Sequence, residues 1–181
     1  MKTFLVAVLL CAGTLLAADA PALTVAQMMD NGLKQVEAEV VPLAEAMPAD
    51  KYGFAPKDGA FKNVRTFAQQ MKHIATVNYE VAAAMLGEKS PVSAGKNENG
   101  DDAIASKDQI VKYLKDSFAY THKAMATLTA TNLTGLINSP FGEGKAQRLS
   151  MATVPAWHTF DHYGQAVVYA RMCSVVPPAS R

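Results

Sequence analysis

Residues 157–180, WHTFDHYGQAVVYARMCSVVPPAS, contain the most informative pattern in the chain. Its apolar residues predict an amphipathic helix that runs to about Met172. His158 and His162 are four residues apart, a spacing that places both imidazoles on one face of a helix, about 5–6 Å apart at Cβ. Two imidazoles in this arrangement can bind one metal ion if a further ligand comes from elsewhere in the chain.

The same helix face carries two more polar side chains. Gln165 and Tyr169 lie with the two histidines in an arc of roughly 60°, and the neighbouring face holds core-type residues such as Trp157, Phe160 and Val168. A polar strip beside core-type residues is typical of a helix that lines a binding site. The alternative is that both histidines are surface or half-buried residues that bond to water and carbonyl groups. HExxH is absent, so the zinc-protease arrangement is excluded.

A further ligand has to come from another segment, and the chain offers two more histidines. His73 lies midway along a predicted helix, on the shoulder of its apolar stripe, which favours a site at an open cleft. His122 is followed by Lys123, which indicates an exposed face. The residues favour His73 only slightly, so His122 remains an alternative.

Hydrophobic periodicity predicts three further helices joined by polar loops. Thr24 with Gln27, and Ser106 with Gln109, have the spacing of capping boxes. Pro155 is tolerated in the last helix if it lies in the first turn. No segment shows convincing strand alternation, so we expect an all-α four-helix bundle. The predicted helices run from Val25 to the region 42–48, from 63 to 86, from 107 to 129, and from Ser150 or Thr153 to 172.

The composition indicates one globular domain without a nucleic-acid partner. Half of the 181 residues are hydrophobic, which suffices for a sizeable core. The 17 basic and 16 acidic residues give a net charge of +1, and no basic cluster is present. After removal of an N-terminal signal only Cys173 would remain, so no internal disulfide is expected.

Residues 1–20 have the features of a cleavable signal peptide. A short positive N-terminus precedes the apolar run Phe4–Leu16, which is followed by small residues. A membrane-spanning helix needs about 20 apolar residues, so this run is too short for a stable anchor. We therefore expect cleavage after Ala18 or Ala20, export to the periplasm or the exterior, and a mature domain of residues 21–181.

Three segments resemble the DinB-like family of metal-dependent enzymes. They are VRTFAQQMKHIA (64–75), YLKDSFAYTHKAM (113–125) and the C-terminal stretch from residue 158 to residue 180. The most specific piece is the HxxxHYGQ pattern of residues 158–165. The resemblance covers roughly residues 25–180, which is most of the expected mature chain.

The resemblance implies a four-helix bundle of the DinB/YfiT-like type, in which one histidine of the second helix and two of the fourth hold a metal. These residues are His73, His158 and His162, and His122 does not match a ligand position. Three neutral imidazoles leave at least one coordination position open, as in catalytic sites. They suit zinc or nickel, and also iron or copper. The resemblance is also compatible with a homodimer.

From these features we expect an exported metal-dependent hydrolase that acts on a small molecule of unknown structure. One alternative is a thiol-dependent transferase or isomerase, against which export argues because low-molecular-weight thiols are cytosolic. Another is a non-catalytic bundle that binds metal or dimerises, and an exposed apolar face on the first or third helix would favour it.

Overall fold

The computed structural model describes residues 21–181, and the predicted signal peptide of residues 1–20 lies outside the described residues. Four long helices make up most of the structure, so the prediction of four helices is confirmed. They are α1 (Val25–Ala46), α2 (Phe67–Leu86), α3 (Lys107–Met125) and α4 (Arg148–Met172). Short 3₁₀ helices span Ala49–Lys51, Lys96–Glu98 and Pro178–Ser180, and two strands, β1 (Leu136–Asn138) and β2 (Lys145–Gln147), precede α4.

The helices follow one another around the bundle in the order α1, α3, α2, α4. Both α1 and α2 pack against α3 and α4, so α2 lies between the two helices that follow it in the chain. As a result α2 is buried on almost every side, including polar positions such as Gln70, Asn78 and Thr76. The core is completed by side chains of the other helices, among them Leu33, Val36, Val40, Leu43, Ile110, Leu114, Phe118, Ala166 and Ala170.

Capping boxes begin three of the helices. The pairs Thr24–Gln27 and Ser106–Gln109 form reciprocal side-chain and backbone hydrogen bonds, as the sequence predicts. Thr66 and Gln69 form a third box at the start of α2. The predicted start of α2 at residue 63 is therefore wrong, since Asn63 has a φ of 64° and does not continue a helix.

Two prolines lie inside helices rather than at their ends. Helix α1 continues through Pro42 to Ala46, and α4 begins at Arg148, so Pro155 lies beyond its first turn. The first helix thus ends inside the predicted region 42–48, whereas the fourth begins two residues before the earlier of its two predicted starts. Each proline lacks the N–H that would bond four residues back. Burial of the residues next to Pro42, such as Val41 and Leu43, offsets that loss in α1.

Part of the connection between α3 and α4 is a β-hairpin. We predicted a polar loop without strands here, but Leu136 pairs with Gln147 and Asn138 with Lys145 in an antiparallel register. Each strand has three residues, which is too short for alternation to be recognised in the sequence. Helix α3 ends at Met125, four residues earlier than predicted.

Several large apolar side chains of α4 face solvent. Trp157 is 58% exposed, Phe160 46% and Val168 51%. These core-type residues are therefore not part of the core, because α4 packs on the bundle through its opposite side. Within residues 21–181, no helix combines the length and the apolar character needed to cross a bilayer.

Candidate metal centre

Three histidines from two neighbouring helices meet at one point of the bundle. His73 comes from the middle of α2, and His158 and His162 come from successive turns of α4. One ring nitrogen from each lies within 4.8 Å of the other two. The ring centroids are 4.5–4.9 Å apart, with interplanar angles of 64–85°. The structure thus brings together the three residues predicted as ligands, in an arrangement that can hold a metal ion.

His73 is fixed by the loop that precedes α3. Its Nδ1 lies 3.0 Å from the carbonyl oxygen of Glu98. A carbonyl can only accept, so Nδ1 carries the hydrogen and Nε2 of neutral His73 has a free lone pair. His73 is only 5% exposed, so the expectation of an open cleft at this residue is wrong. The reason is the position of α2, which α3 and α4 cover from both sides.

His162 is fixed by a chain of three polar side chains that ends at a carboxylate. Gln165 Nε2 donates to Asp161 Oδ2 at 3.3 Å, and Gln70 Nε2 donates to Gln165 Oε1 at 3.0 Å. Gln70 Oε1 then accepts from His162 Nδ1 at 2.6 Å. The carboxylate of Asp161 can only accept, so Gln165 donates to it through its NH₂ group and accepts through its oxygen. The same reasoning then fixes the orientation of the Gln70 amide. His162 therefore donates through Nδ1, and its Nε2 is free to bind a cation.

Two residues of α4 take part in this chain. Gln165, which the sequence places on the same helix face as the two histidines, bridges α4 and α2 through its hydrogen bond to Gln70. Asp161 lies at the end of the chain, and its Oδ2 is 3.9 Å from His162 Nε2. Tyr169 is buried and its ring packs edge-on against Phe54, with centroids 5.8 Å apart.

His158 is the member of the cluster nearest to solvent, and it is half-buried. Its Nε2 lies 3.1 Å from His73 Nε2, whereas its Nδ1 is buried without a hydrogen-bond partner. With His73 protonated on Nδ1, two Nε2 lone pairs would face each other unless His158 donates a hydrogen or a cation lies between them. This arrangement fits a shared cation, since neutral Nε2 atoms are common ligands of transition metals.

All three histidines are held in their neutral form at neutral pH. Burial lowers the pKa of His158 to about 3 and that of His162 to about 4, and the neighbouring histidines lower both further. Burial also lowers the pKa of His73, although the bond to the Glu98 carbonyl opposes this. A metal ligand must be deprotonated, so these shifts favour metal binding.

His122 lies elsewhere, between α1 and α3. Its Nδ1 is 2.5 Å from Asp30 Oδ1, and its Nε2 is 2.9 Å from Glu37 Oε2. Carboxylates of α1 thus contact both ring nitrogens of His122. Among residues 21–181, the one group of side chains that could hold a metal ion does not include His122. The sequence offered His73 and His122 as alternatives for the further ligand, and the structure places His73, not His122, beside His158 and His162.

The Asp30 carboxylate should stabilise the protein in a pH-dependent way. Burial raises its pKa, but hydrogen bonds from Lys34 and His122 more than offset this, so the pKa lies below 3.8. Its contribution is therefore complete above pH 3.8 and lost as the pH falls through the folded-state pKa. We expect Asp30→Asn to lower the free energy of unfolding by about 1 kcal/mol at pH 7, and urea denaturation between pH 2.5 and 7 measures it.

Asp58→Asn is the matched control, because Asp58 is exposed and should change stability by less than about 0.5 kcal/mol. A loss in Asp30→Asn that stays constant or grows toward pH 2.5 would contradict the assigned pKa direction.

Sequence reasoning missed the groups that orient the histidines. Gln70 could have been found, because it lies three residues before His73 and so shares its helix face. The Glu98 carbonyl had no such signal, since a backbone group has no sequence signature and Glu98 is 25 residues from His73. Arg65 was also missed, and its charge lowers the pKa of all three histidines.

A four-helix bundle with one histidine on α2 and two on α4 agrees with the architecture that the resemblance implies. The family model described as the DinB superfamily matches residues 33–166. The chain therefore belongs to the DinB superfamily, and the resemblance noted in its sequence is confirmed.

Solved structures share the fold at low sequence identity. A conserved protein from Enterococcus faecalis aligns with a TM-score of 0.65 and 16% identity, covering 83% of this chain and 98% of that one. A DinB-like protein from Bacillus subtilis aligns with a TM-score of 0.61 and 19% identity, covering 81% and 92%. At these identities the likeness establishes the fold alone. Among curated proteins, none matches this chain.

Proposed function

We propose that this protein is an exported metal-dependent hydrolase that acts on a small molecule at His73, His158 and His162. The observation that carries the proposal is the convergence of three neutral imidazoles, whose ring nitrogens lie within 4.8 Å of one another. No thiolate belongs to the cluster, and imidazole ligands suit zinc or nickel as well as iron or copper.

A divalent cation bound by three imidazoles keeps a coordination position open and supplies Lewis-acid chemistry there. The protein contributes the orientation of the ligands. The Glu98 carbonyl fixes His73, and Gln70 fixes His162 through the chain that ends at Asp161. His158 is half-buried and is the most exposed ligand of the three.

Turnover measurements test the hydrolase proposal. Purified protein, metal-loaded and metal-stripped, would be assayed against panels of esters, amides and phosphoesters. We expect turnover in at least one panel that is lost on stripping and restored by zinc or nickel. Absence of turnover in every panel with the site fully loaded would contradict a hydrolase. Activity that appears only on addition of a low-molecular-weight thiol would favour a transferase instead.

Gln70 should determine how tightly the metal is held. Replacing it by alanine leaves His162 without an acceptor for its Nδ1 hydrogen and removes the bridge to Gln165. Loss of such an orienting group typically costs 10–100-fold in metal affinity. We therefore expect Gln70→Ala to weaken zinc binding by about that factor, measured by competition with a chromophoric chelator.

Gln35→Ala is the control for this change, since Gln35 is an exposed residue of α1. Equal zinc affinities for both variants, with Gln70→Ala folded as judged by circular dichroism, would show that the polar chain does not support the site.

Export and self-association are parts of the proposal that rest on other observations. The signal-like residues 1–20 support export, and N-terminal sequencing of protein recovered from the periplasm of a bacterial host tests it. The apolar side chains exposed on α4 are compatible with a homodimer. This face lies on α4 rather than on the first or third helix, and sedimentation equilibrium tests the association.

A further inference from the structure

Arg65 lies immediately before the cap of α2 and is held in place by the loop that precedes α3. Its Nε donates to Asn99 Oδ1 at 2.9 Å, and its Nη2 donates to the Asn97 carbonyl oxygen at 3.0 Å. The side chain is half-buried. Two bonds to one short segment restrain the guanidinium to a single region of the surface.

The same segment carries the group that fixes His73. Glu98, between the two residues that bond Arg65, gives its carbonyl oxygen to His73 Nδ1 at 3.0 Å. Asn97 and Glu98 both adopt φ values of 57°, so successive peptide groups of this segment turn toward different partners. One short segment thus bonds both the guanidinium and a histidine of the cluster.

The guanidinium retains unused hydrogen-bonding capacity. An arginine has five N–H donors, and the bonds to Asn99 and Asn97 use one on Nε and one on Nη2. Within residues 21–181 no carboxylate forms an ion pair with Arg65. The carboxylate of Glu98 instead faces His73, with Oε2 3.9 Å from Nδ1. Both terminal nitrogens, Nη1 and Nη2, therefore have free N–H groups. Two such N–H groups can bind one carboxylate or phosphate through two hydrogen bonds.

Arg65 lies beside His73 of the cluster, because the two side chains bond to neighbouring residues of one segment, Arg65 to Asn97 and Asn99 and His73 to Glu98. In agreement with this position, the positive charge of Arg65 adds a small lowering to the pKa of His73, His158 and His162, after burial and the nearer groups. The three neutral imidazoles of the cluster thus have one restrained positive charge, that of Arg65, beside them.

We infer that Arg65 is the anion-binding group of the histidine cluster, so that the substrate is a small molecule with a carboxylate or phosphate group near the bond that reacts. This inference rests on the proposed metal-dependent function and names the substrate class of the same site. Arg65 positions the substrate through its oxyanion, while the histidines hold the metal.

Anion binding to full-length protein with and without added zinc tests the inference. Sulfate stands for the tetrahedral phosphate group and acetate for the carboxylate, and sodium chloride keeps the ionic strength constant. Dissociation constants come from the concentration-dependent rise in Tm, which reports binding of either anion whether or not metal is present. The variants are Arg65→Met and Arg65→Lys, and the control is Lys62→Met, which removes a nearby exposed cation.

We expect Arg65→Met to weaken binding of sulfate, acetate or both by at least about tenfold, as charge-assisted hydrogen bonds are lost. Arg65→Lys should give an intermediate loss, since it keeps the charge without the planar fork. Lys62→Met should match the wild type. The anion with the larger loss identifies the group that the site prefers.

Equal anion affinities of the wild type and both Arg65 variants would overturn the inference, as would an equal loss in Lys62→Met. Absence of anion binding by the wild type would overturn it too. Metal content is measured separately on each sample. A wild type that binds sulfate through Arg65 but takes up no metal would refute the metal-dependent function and leave Arg65 as an anion site.

Discussion

Replacing His73 by alanine is expected to lower the affinity for zinc or nickel by more than about a hundredfold, because loss of a ligand should exceed the 10–100-fold cost of losing an orienting group. His73 is the α2 member of the cluster, and its Nε2 lies 3.1 Å from that of His158. Without it, two imidazoles of α4 remain, one turn apart on a single helix. Competition with a chromophoric chelator at pH 7.5 measures the affinity.

His122→Ala is the matched control for this experiment. His122 is also a histidine with hydrogen-bond partners, but its nitrogens face Asp30 and Glu37 rather than the cluster. We expect its zinc affinity to stay within about twofold of the wild type, with circular dichroism confirming that both variants fold. Loss of zinc in His122→Ala and retention in His73→Ala would place the site between α1 and α3 and contradict the assignment.

The largest effect on stability is expected from Phe118→Ala. Phe118 has no exposed surface and packs in the core cluster of the bundle. Truncating a buried phenylalanine removes apolar contacts and leaves a cavity, which typically costs 3–5 kcal/mol. We expect a loss of about 4 kcal/mol in the free energy of unfolding, measured by urea denaturation at pH 7.

The same truncation at Phe160 provides the control. Phe160 lies on α4 and is 46% exposed, so Phe160→Ala in the monomer should change the free energy of unfolding by less than about 0.5 kcal/mol. Similar losses for the two variants would contradict the described core, because the burial of the two rings would then have no energetic consequence.

The sequence predicts the helices well where local signals decide them. The capping residues Thr24 and Ser106 mark two helix starts correctly. Thr66 and Gln69 carry the same signal, and recognising it would have corrected the start of α2. The hairpin and the passage of α4 through Pro155 had no comparable local signal. The strands of the hairpin have only three residues each, and Pro155 is a buried residue within α4.

The candidate site was only partly predictable. Helical spacing alone places His158 and His162 on one face, but the choice of His73 required the family resemblance. Its burial follows from the position of α2 between α3 and α4, which periodicity within α2 does not reveal. The hydrogen bond from His73 to the Glu98 carbonyl depends on the conformation of a loop, which the residue types in that loop do not predict.

The central claim is that one transition-metal ion binds between α2 and α4. Crystals of protein produced without a histidine tag, with diffraction data recorded on both sides of the metal absorption edge, test it most directly. We predict a single strong anomalous peak at about 2 Å from one ring nitrogen each of His73, His158 and His162. Absence of a peak there in metal-loaded crystals, or a peak bound by other residues, would contradict the account.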